Sequence, residues 1–217
     1  MLGLIARSVT LASFLCVPAL LAQPSVRADR PARYVGVWIG LSPNSRVGEF
    51  ALPRRQLVLI GARAEWVFEA LPLVTLAATS DIVPVAVITH TPTYTTREVV
   101  FPGGGTTHVK EQTGNKPVYG AGGMPFGFKL RVESWPKVRL FGATSIGGLW
   151  FTRDVPIPDA RRFNFAFEYG GGIEFGRRNG PTVILGYKFH HLSNANSAAI
   201  NPGLDSDVIY FGMSRPR

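Results

Sequence analysis

Large apolar side chains alternate with charged or very small ones along several stretches of this chain. In a β-strand, alternate residues share a face, so such a stretch has one broad apolar face and one narrow polar face. The clearest stretch spans 163–176, and its apolar set is Phe163, Phe165, Phe167, Tyr169, Ile173 and Phe175. Its polar set is Asn164, Glu168, Glu174 and several glycines. A soluble sheet buries its large apolar side chains, whereas a membrane barrel turns them to lipid and encloses the charges.

Two further stretches show the same division. In the first, Val58, Ile60, Ala62, Ala64, Trp66 and Phe68 oppose Arg63, Glu65 and Glu69. In the second, Met124, Phe126, Phe128, Leu130 and Val132 oppose Lys129 and Arg131. Glycines and paired charges fit the narrow inside of an eight-stranded barrel. Closure of the barrel also leaves no strand edge unpaired in hydrocarbon.

The pattern predicts an all-β fold, a closed antiparallel eight-stranded transmembrane β-barrel. The predicted strands cover 33–42, 56–70, 81–90, 119–132, 138–152, 163–176, 182–193 and 205–214. Longer connections, at 43–55, 91–118, 153–162 and 194–204, alternate with short ones, as external loops and periplasmic turns do. Pro84 and Pro125 fit less well, because proline weakens a strand ladder.

The first 28 residues have the composition of a secretory signal peptide. Arg7 precedes an apolar run that is too short for a spanning helix, and small residues follow it. A frayed N-terminal anchor is the alternative. We therefore predict a signal peptide at 1–28, a barrel domain at 29–217 and export to the bacterial outer membrane. Because Cys16 is the only cysteine and lies in the apolar run, the mature chain would have no thiol nucleophile.

The chain carries a formal net charge of +9. No run of Lys and Arg with interleaved aromatic residues indicates a nucleic-acid partner. A basic envelope protein can meet anionic lipid head groups, but from charge alone a merely solvated basic surface is the preferred explanation. His90 and His108 have no ligand spacing with the other histidines, so no metal is predicted, and no cofactor is predicted either.

The segment 186–206 contains the residues with the clearest chemistry. His191 and Ser193 are two apart on a strand and share its apolar, outward face, while His190 points inward. The chain then turns back, so Asp205 can return beside His191 in a Ser–His–acid arrangement. Asn194, Asn201 and the turn amides near 195–196 are candidate oxyanion donors. A His-x-Ser pair alone is more often two surface residues.

The same segment carries a resemblance. His-Leu-Ser-Asn-Ala at 191–195, followed by Asn-x-Gly-Leu-Asp-Ser at 201–206, resembles the outer-membrane lipid A 3-O-deacylases of the PagL type. The family usually has Glu where this chain has Asp205. The resemblance implies that Ser193, His191 and Asp205 hydrolyse the 3-O-linked acyl chain of lipid A and release a 3-hydroxy fatty acid.

The resemblance also implies partners, namely lipopolysaccharide as substrate and outer-membrane lipid as surroundings. The oligomeric state stays open, with a homodimer as one option. A second hypothesis is a small non-catalytic outer-membrane barrel with a structural or adhesive role. A soluble lipid-binding barrel is disfavoured by the charges opposite the apolar faces.

Overall fold

A computed structural model describes residues 33–48, 55–133, 135–177 and 179–217. The predicted signal peptide at 1–28 lies outside these residues. In the part of the chain that is described, no helix is long and apolar enough to cross a membrane.

Eight strands form one closed antiparallel barrel in which each strand pairs with its neighbours in sequence and β8 pairs with β1. The strands are β1 Arg33–Ser45, β2 Arg55–Ala70, β3 Val74–Val100, β4 Thr106–Val132, β5 Val138–Val155, β6 Arg161–Gly176, β7 Thr182–Ser193 and β8 Leu204–Pro216. The predicted fold class is confirmed. The bounds of β7 agree with the prediction, and β3 and β4 differ most from it.

The large apolar side chains lie on the outside of the barrel. Trp66, Phe165 and Phe167 are 42%, 48% and 43% exposed, so they do not pack together in a central core. Lys129 and Glu174, from the opposite faces of their strands, are buried. This inverted distribution is the one expected where lipid, not water, surrounds the wall.

Buried ion pairs fill the interior toward the short-turn end. Lys129 Nζ lies 3.0 Å from Glu65 Oε2, and Glu174 Oε2 lies 2.8 Å from Arg131 Nε and accepts a hydrogen bond from Arg139 Nε at 3.2 Å. Nearer the middle, further pairs join Arg63 with Asp81 and Lys188 with Glu168. Each charge has an opposite neighbour, which a buried ion requires.

Inward glycines make room for the large rings of the middle layer. A Cβ on Gly61 would lie 2.4 Å from Trp38, and one on Gly186 would lie 2.4 Å from Tyr210. Trp38 Nε1 in turn donates to Asp81 Oδ1 at 2.9 Å. The glycines on these faces are therefore a consequence of limited internal space.

The interior toward the long-loop end is mainly apolar, although it also buries Arg55, and this corrects the expectation of a polar interior. Fully buried side chains there include Leu57, Leu59, Val83, Ile88, Val118, Leu149, Phe151, Leu192 and Leu204. They form one cluster that closes the barrel beneath the external loops. The cluster explains why the third strand is apolar on both faces, since Val83 and Ile88 point inward while Ile82 is 66% exposed.

Met124 is a second correction, because it is fully buried and does not share the outward face with Phe126. The β4–β5 register shifts between Gly123 and Phe126, around Pro125. Such an irregularity reverses the alternation of side chains along one strand. The proline that weakened the strand prediction therefore lies where the pairing changes.

The predicted loop 91–118 is wrong. The β3–β4 ladder continues from Thr91 opposite Lys116 to Val100 opposite Thr106, and only 101–105 connect the strands. Beyond Ile88 on β3 and Gly120 on β4, the described residues of β2 and β5 form no further strand pairs, so this projection is a free two-stranded hairpin. Ten residues of strand extend it by about 33 Å. His90 and His108 lie on this hairpin.

Candidate active site

The β7–β8 hairpin brings His191 and Asp205 together. The two residues are direct partners in the antiparallel register, and His191 Nδ1 lies 2.6 Å from Asp205 Oδ1. Their side chains are 40% and 36% exposed on the outward face. The carboxylate can therefore hold the imidazole by its Nδ1–H and leave Nε2 available.

Ser193 is at the end of β7 on the same outward face. Its Oγ lies 3.1 Å from Asn201 Oδ1 and 3.0 Å from Asn201 Nδ2, and it accepts a hydrogen bond from the Ala195 amide at 3.1 Å. In the described part of the chain no hydrogen bond joins Ser193 to His191. Catalytic hydrogen bonds are often long in unliganded structures and tighten when substrate binds.

The turn after Ser193 has an unusual backbone. Ala195 and Asn196 have φ values of 52° and 60°, a left-handed conformation that is costly for residues other than glycine. The turn is held by a bond from the Ser197 amide to the Asn194 carbonyl at 3.0 Å. Strained backbone of this kind is concentrated at functional sites, where it fixes the direction of a donor.

Asn194 and Asn201, the two predicted oxyanion donors, occupy different places. Asn201 is partly exposed beside Ser193, and its Nδ2 also donates to Asn196 Oδ1 at 3.1 Å. Asn194 is only 1% exposed, and its Nδ2 donates to the Ile200 carbonyl at 2.8 Å. This position does not support a side-chain oxyanion role for Asn194. Its backbone amide instead donates to Asn201 Oδ1 at 3.0 Å and so positions Asn201.

Two contacts that the sequence reasoning missed fix the β7–β8 connection. Gly203 has a φ of 69°, and a Cβ there would lie 3.2 Å from His191 Cε1, so glycine lets the chain pass close to the imidazole. Arg161, at the start of β6, donates from Nε and Nη2 to the Ser197 carbonyl at 3.0 and 2.7 Å.

A polar flank lies on the β8–β1 side of the pair. The backbones of Arg46 and Asp205 exchange two hydrogen bonds of 2.8 Å. Arg46 Nη2 lies 3.6 Å from Asp207 Oδ2, and Tyr187 Oη donates to Asp207 Oδ1 at 2.5 Å. The sequence reasoning missed Arg46 because 43–55 was assigned to a loop, and because the register shift between Ser42 and Ser45 interrupts the alternation of β1.

Asp207 lies on the outward face with Asp205, and its side chain is 50% exposed. The β7–β8 register runs without a shift from Thr182 to Leu192, and it places Asp207 opposite Phe189 and Asp205 opposite His191. Asp205 is therefore the carboxylate that bonds the imidazole.

An aromatic flank lies on the β6 side. Phe165 is the register partner of Ser193, and Phe167 is the partner of His191. Phe163 and Phe165 meet edge to face with centroids 5.1 Å apart, and Trp150 packs 6.2 Å from Phe163. The site therefore has an apolar wall on one side and charges on the other.

His190 points into the barrel as predicted. It is fully buried, and its Nδ1 lies 2.7 Å from Glu168 Oε1. Among the residues that the structure describes, no three His, Cys, Asp or Glu side chains are grouped as ligands of a metal ion.

The profile of the lipid A 3-O-deacylase (PagL) family matches residues 86–214, which are more than half of the chain and include His191, Ser193 and Asp205. The chain belongs to the PagL family. No curated protein matches it significantly.

Solved structures agree on the fold. The chain is similar to the outer-membrane enzyme PagL, with a TM-score of 0.53 and 16% identity, over 82% of this chain and 97% of that one. It is also similar to Neisserial surface protein A, with a TM-score of 0.50 and 9% identity, over 86% and 97% of the two chains. At these identities the likeness shows the barrel fold alone. Membership of the PagL family together with this fold supports lipid A deacylation in the outer membrane.

Proposed function

We propose that the chain is a serine esterase that hydrolyses the 3-O-linked acyl chain of lipid A and releases a 3-hydroxy fatty acid. The observation that carries the proposal is the 2.6 Å bond between His191 Nδ1 and Asp205 Oδ1 on the lipid-facing wall, next to Ser193. A Ser–His–acid set on that face can reach an ester that stays in the membrane.

Ser193 Oγ attacks the ester carbonyl while His191 Nε2 takes its proton. Asp205 accepts the Nδ1–H bond, holds the imidazole in this tautomer and stabilises its charged form. The imidazolium then gives the proton to the departing sugar oxygen, which leaves the acyl chain on Ser193. Water, activated by the same imidazole, hydrolyses this acyl-enzyme and regenerates the serine.

The oxyanion of the tetrahedral intermediate needs donors that are already in position. Asn201 Nδ2 and the Ala195 amide both lie within 3.1 Å of Ser193 Oγ in the resting site. When Oγ bonds to the carbonyl carbon, both donors lie near the oxygen that becomes negative. The left-handed backbone at Ala195 and the Asn194 amide hold them there.

The two flanks of the site suit the two parts of a lipid A molecule. The aromatic wall at Phe165 and Phe167 can pack against the acyl chain. The charged side, with Arg46, can face the phosphorylated glucosamine, since Arg recognises phosphate by paired hydrogen bonds. Such placement would hold the ester over Ser193.

The test is the mass of lipid A from a host that expresses the protein. Wild-type protein should remove the mass of one 3-hydroxyacyl group, and tandem fragmentation should place the loss at a 3-O position. Ser193→Ala, inserted in the membrane at equal amount, should leave lipid A unchanged. A loss at another position would overturn the 3-O assignment, and equal activity of both proteins would overturn the nucleophile.

The second hypothesis, a non-catalytic barrel, predicts no change of lipid A mass with either protein. Its physical basis is the replacement of the usual Glu by Asp205, which is one methylene shorter. The 2.6 Å contact with His191 shows that the shorter side chain still reaches the imidazole, which favours the enzyme.

A further inference from the structure

The external face of the barrel has an open cleft of about 420 Å³ between the free hairpin of β3–β4 and the β5–β6 connection. Side chains from four strands line it, among them Tyr94, Lys110, Arg153, Asp154 and Arg162. It is separate from the candidate active site, whose residues line none of it. The cleft exists only because β3 and β4 continue past the wall.

The cations of this cleft are incompletely neutralised. Arg162 is exposed and, within the described residues, forms no ion pair with a carboxylate. Arg153 donates from Nη2 to the carbonyls of Lys116 and Pro117 at 2.9 and 3.2 Å, bonds that hold the hairpin but leave the positive charge uncompensated. Lys110 is paired with Asp159 at 2.5 Å, and it is the one cleft cation that has a carboxylate partner in the described structure.

The remaining lining has the chemistry of a sugar site. Tyr94 is 42% exposed and offers a ring face, and threonines beside it offer hydroxyl groups. Asp154 can accept hydrogen bonds from sugar hydroxyls, while two guanidinium groups suit phosphate or carboxylate substituents. A mixture of this kind fits an acidic saccharide better than an inorganic anion or an apolar chain.

We propose that this cleft binds a negatively charged sugar of the saccharide that lipopolysaccharide carries beyond lipid A. This inference rests on the proposed function and adds a second contact to the same substrate. The cleft would raise the affinity for lipopolysaccharide without touching the reacting ester.

The position of the cleft favours this source of the saccharide over a soluble glycan. Arg162 precedes Phe165, the register partner of Ser193, by three residues, or about 10 Å along β6. Its neighbour Arg161 bonds the Ser197 carbonyl and so ties this end of β6 to the turn of the active site. Arg162 has the inward parity of Asn164, but it is exposed at the rim of the barrel, where a sugar that extends outward from a lipid A molecule at Ser193 can approach it.

The experiment compares two substrates in detergent micelles, namely lipopolysaccharide with its saccharide and lipid A from which the saccharide has been removed. Initial deacylation rates would be measured for wild type, for Arg162→Gln and for the double variant with Lys110→Gln. Arg215→Gln, the same change at an exposed site on the short-turn end, is the control. We expect Arg162→Gln to raise KM for lipopolysaccharide about tenfold, the cost of one charged hydrogen bond, and to leave lipid A unaffected.

Equal changes on both substrates, or no change on lipopolysaccharide, would overturn the inference. Calorimetric binding of the delipidated saccharide to Ser193→Ala protein separates the two proposals. If the wild-type protein does not deacylate lipid A but the saccharide still binds, and Arg162→Gln weakens that binding, the proposed saccharide cleft stands and the proposed esterase activity is wrong. Tighter binding of a sulfated polysaccharide than of the delipidated saccharide would assign the cleft to a soluble glycan.

Discussion

His190 and His191 are neighbours in sequence but belong to opposite sides of the barrel wall. Each presents Nδ1 to a carboxylate on the next strand, His190 to Glu168 at 2.7 Å and His191 to Asp205 at 2.6 Å. The inner side chain is 0% exposed and the outer one 40%. The same pair of groups is thus built twice, once in the protein interior and once at its lipid surface.

The difference between the two pairs is their surroundings. Glu168 also accepts from Lys188 at 2.8 Å and from Ser145 at 3.0 Å, so the inner pair belongs to a buried ionic network that no substrate can enter. Asp205 and His191 have open space before them and a serine two residues away. A hydrogen-bonded imidazole acts as a catalyst only where a nucleophile and a substrate can both reach it.

The sharpest test of this contrast is to change each histidine in turn. His191→Gln should reduce turnover by a factor on the order of 10⁶, and adding Ser193→Ala should cost little more, because the two residues act as a unit. Single-turnover deacylation measures both. His190→Gln should leave turnover per folded molecule close to wild type. A reversed ranking would show that the outer pair is structural.

The second test concerns the outer acid. Asp205→Asn should lower turnover by about 10⁴-fold, because the amide favours the wrong tautomer of the imidazole. Asp205→Glu should keep or raise activity, since it restores the residue usual in the family. Initial rates on lipid A in micelles decide the matter. An active Asp205→Asn would remove the acid from the proposed mechanism.

The third test concerns the inner acid, where stability and not turnover should respond. Glu168→Gln leaves the Lys188 ammonium without its carboxylate in a buried site, which should cost about 3–5 kcal/mol of unfolding free energy. Urea titration in detergent, followed by tryptophan fluorescence, measures the loss. Glu69→Gln on the same barrel, at a partly exposed position, is the control. An unchanged unfolding midpoint would mean that solvent or another group compensates Lys188.

The sequence predicted those parts of the structure that follow from strand parity. One-to-one alternation along β6 and β7 placed Phe165, His191 and Ser193 outside and Glu168 and His190 inside, and the barrel followed from this inversion. Parity fails where the register shifts, so it assigned Met124 to the wrong face. Strand parity also does not indicate how far along the barrel axis a residue lies. The apolar cluster around Leu57 and Phe151 was therefore not predicted.

The remaining errors came from treating polarity as evidence for a loop. The segments at 93–100 and 106–116 are rich in threonine and charge because both faces of the free hairpin meet water there, although they are strands. In the site, the pairing of His191 with Asp205 followed from the hairpin. The backbone bridge from Arg46 to Asp205 could not be predicted from the hairpin, because it joins residues from opposite ends of the chain.

The smallest effect is expected at Asp207, which shares the outward face with Asp205 but bonds Tyr187 and Arg46 instead of the imidazole. Its side chain and that of Arg46 are 50% and 64% exposed, and ion pairs this open contribute at most about 1 kcal/mol. Asp207→Asn should therefore change turnover by less than about fivefold, against the loss of about 10⁴-fold for Asp205→Asn. Tyr187→Phe, which removes the other partner of the carboxylate, should act equally weakly. A silent Asp207→Asn beside an active Asp205→Asn would transfer the orienting role to residue 207 and require the β7–β8 register to slide by two residues.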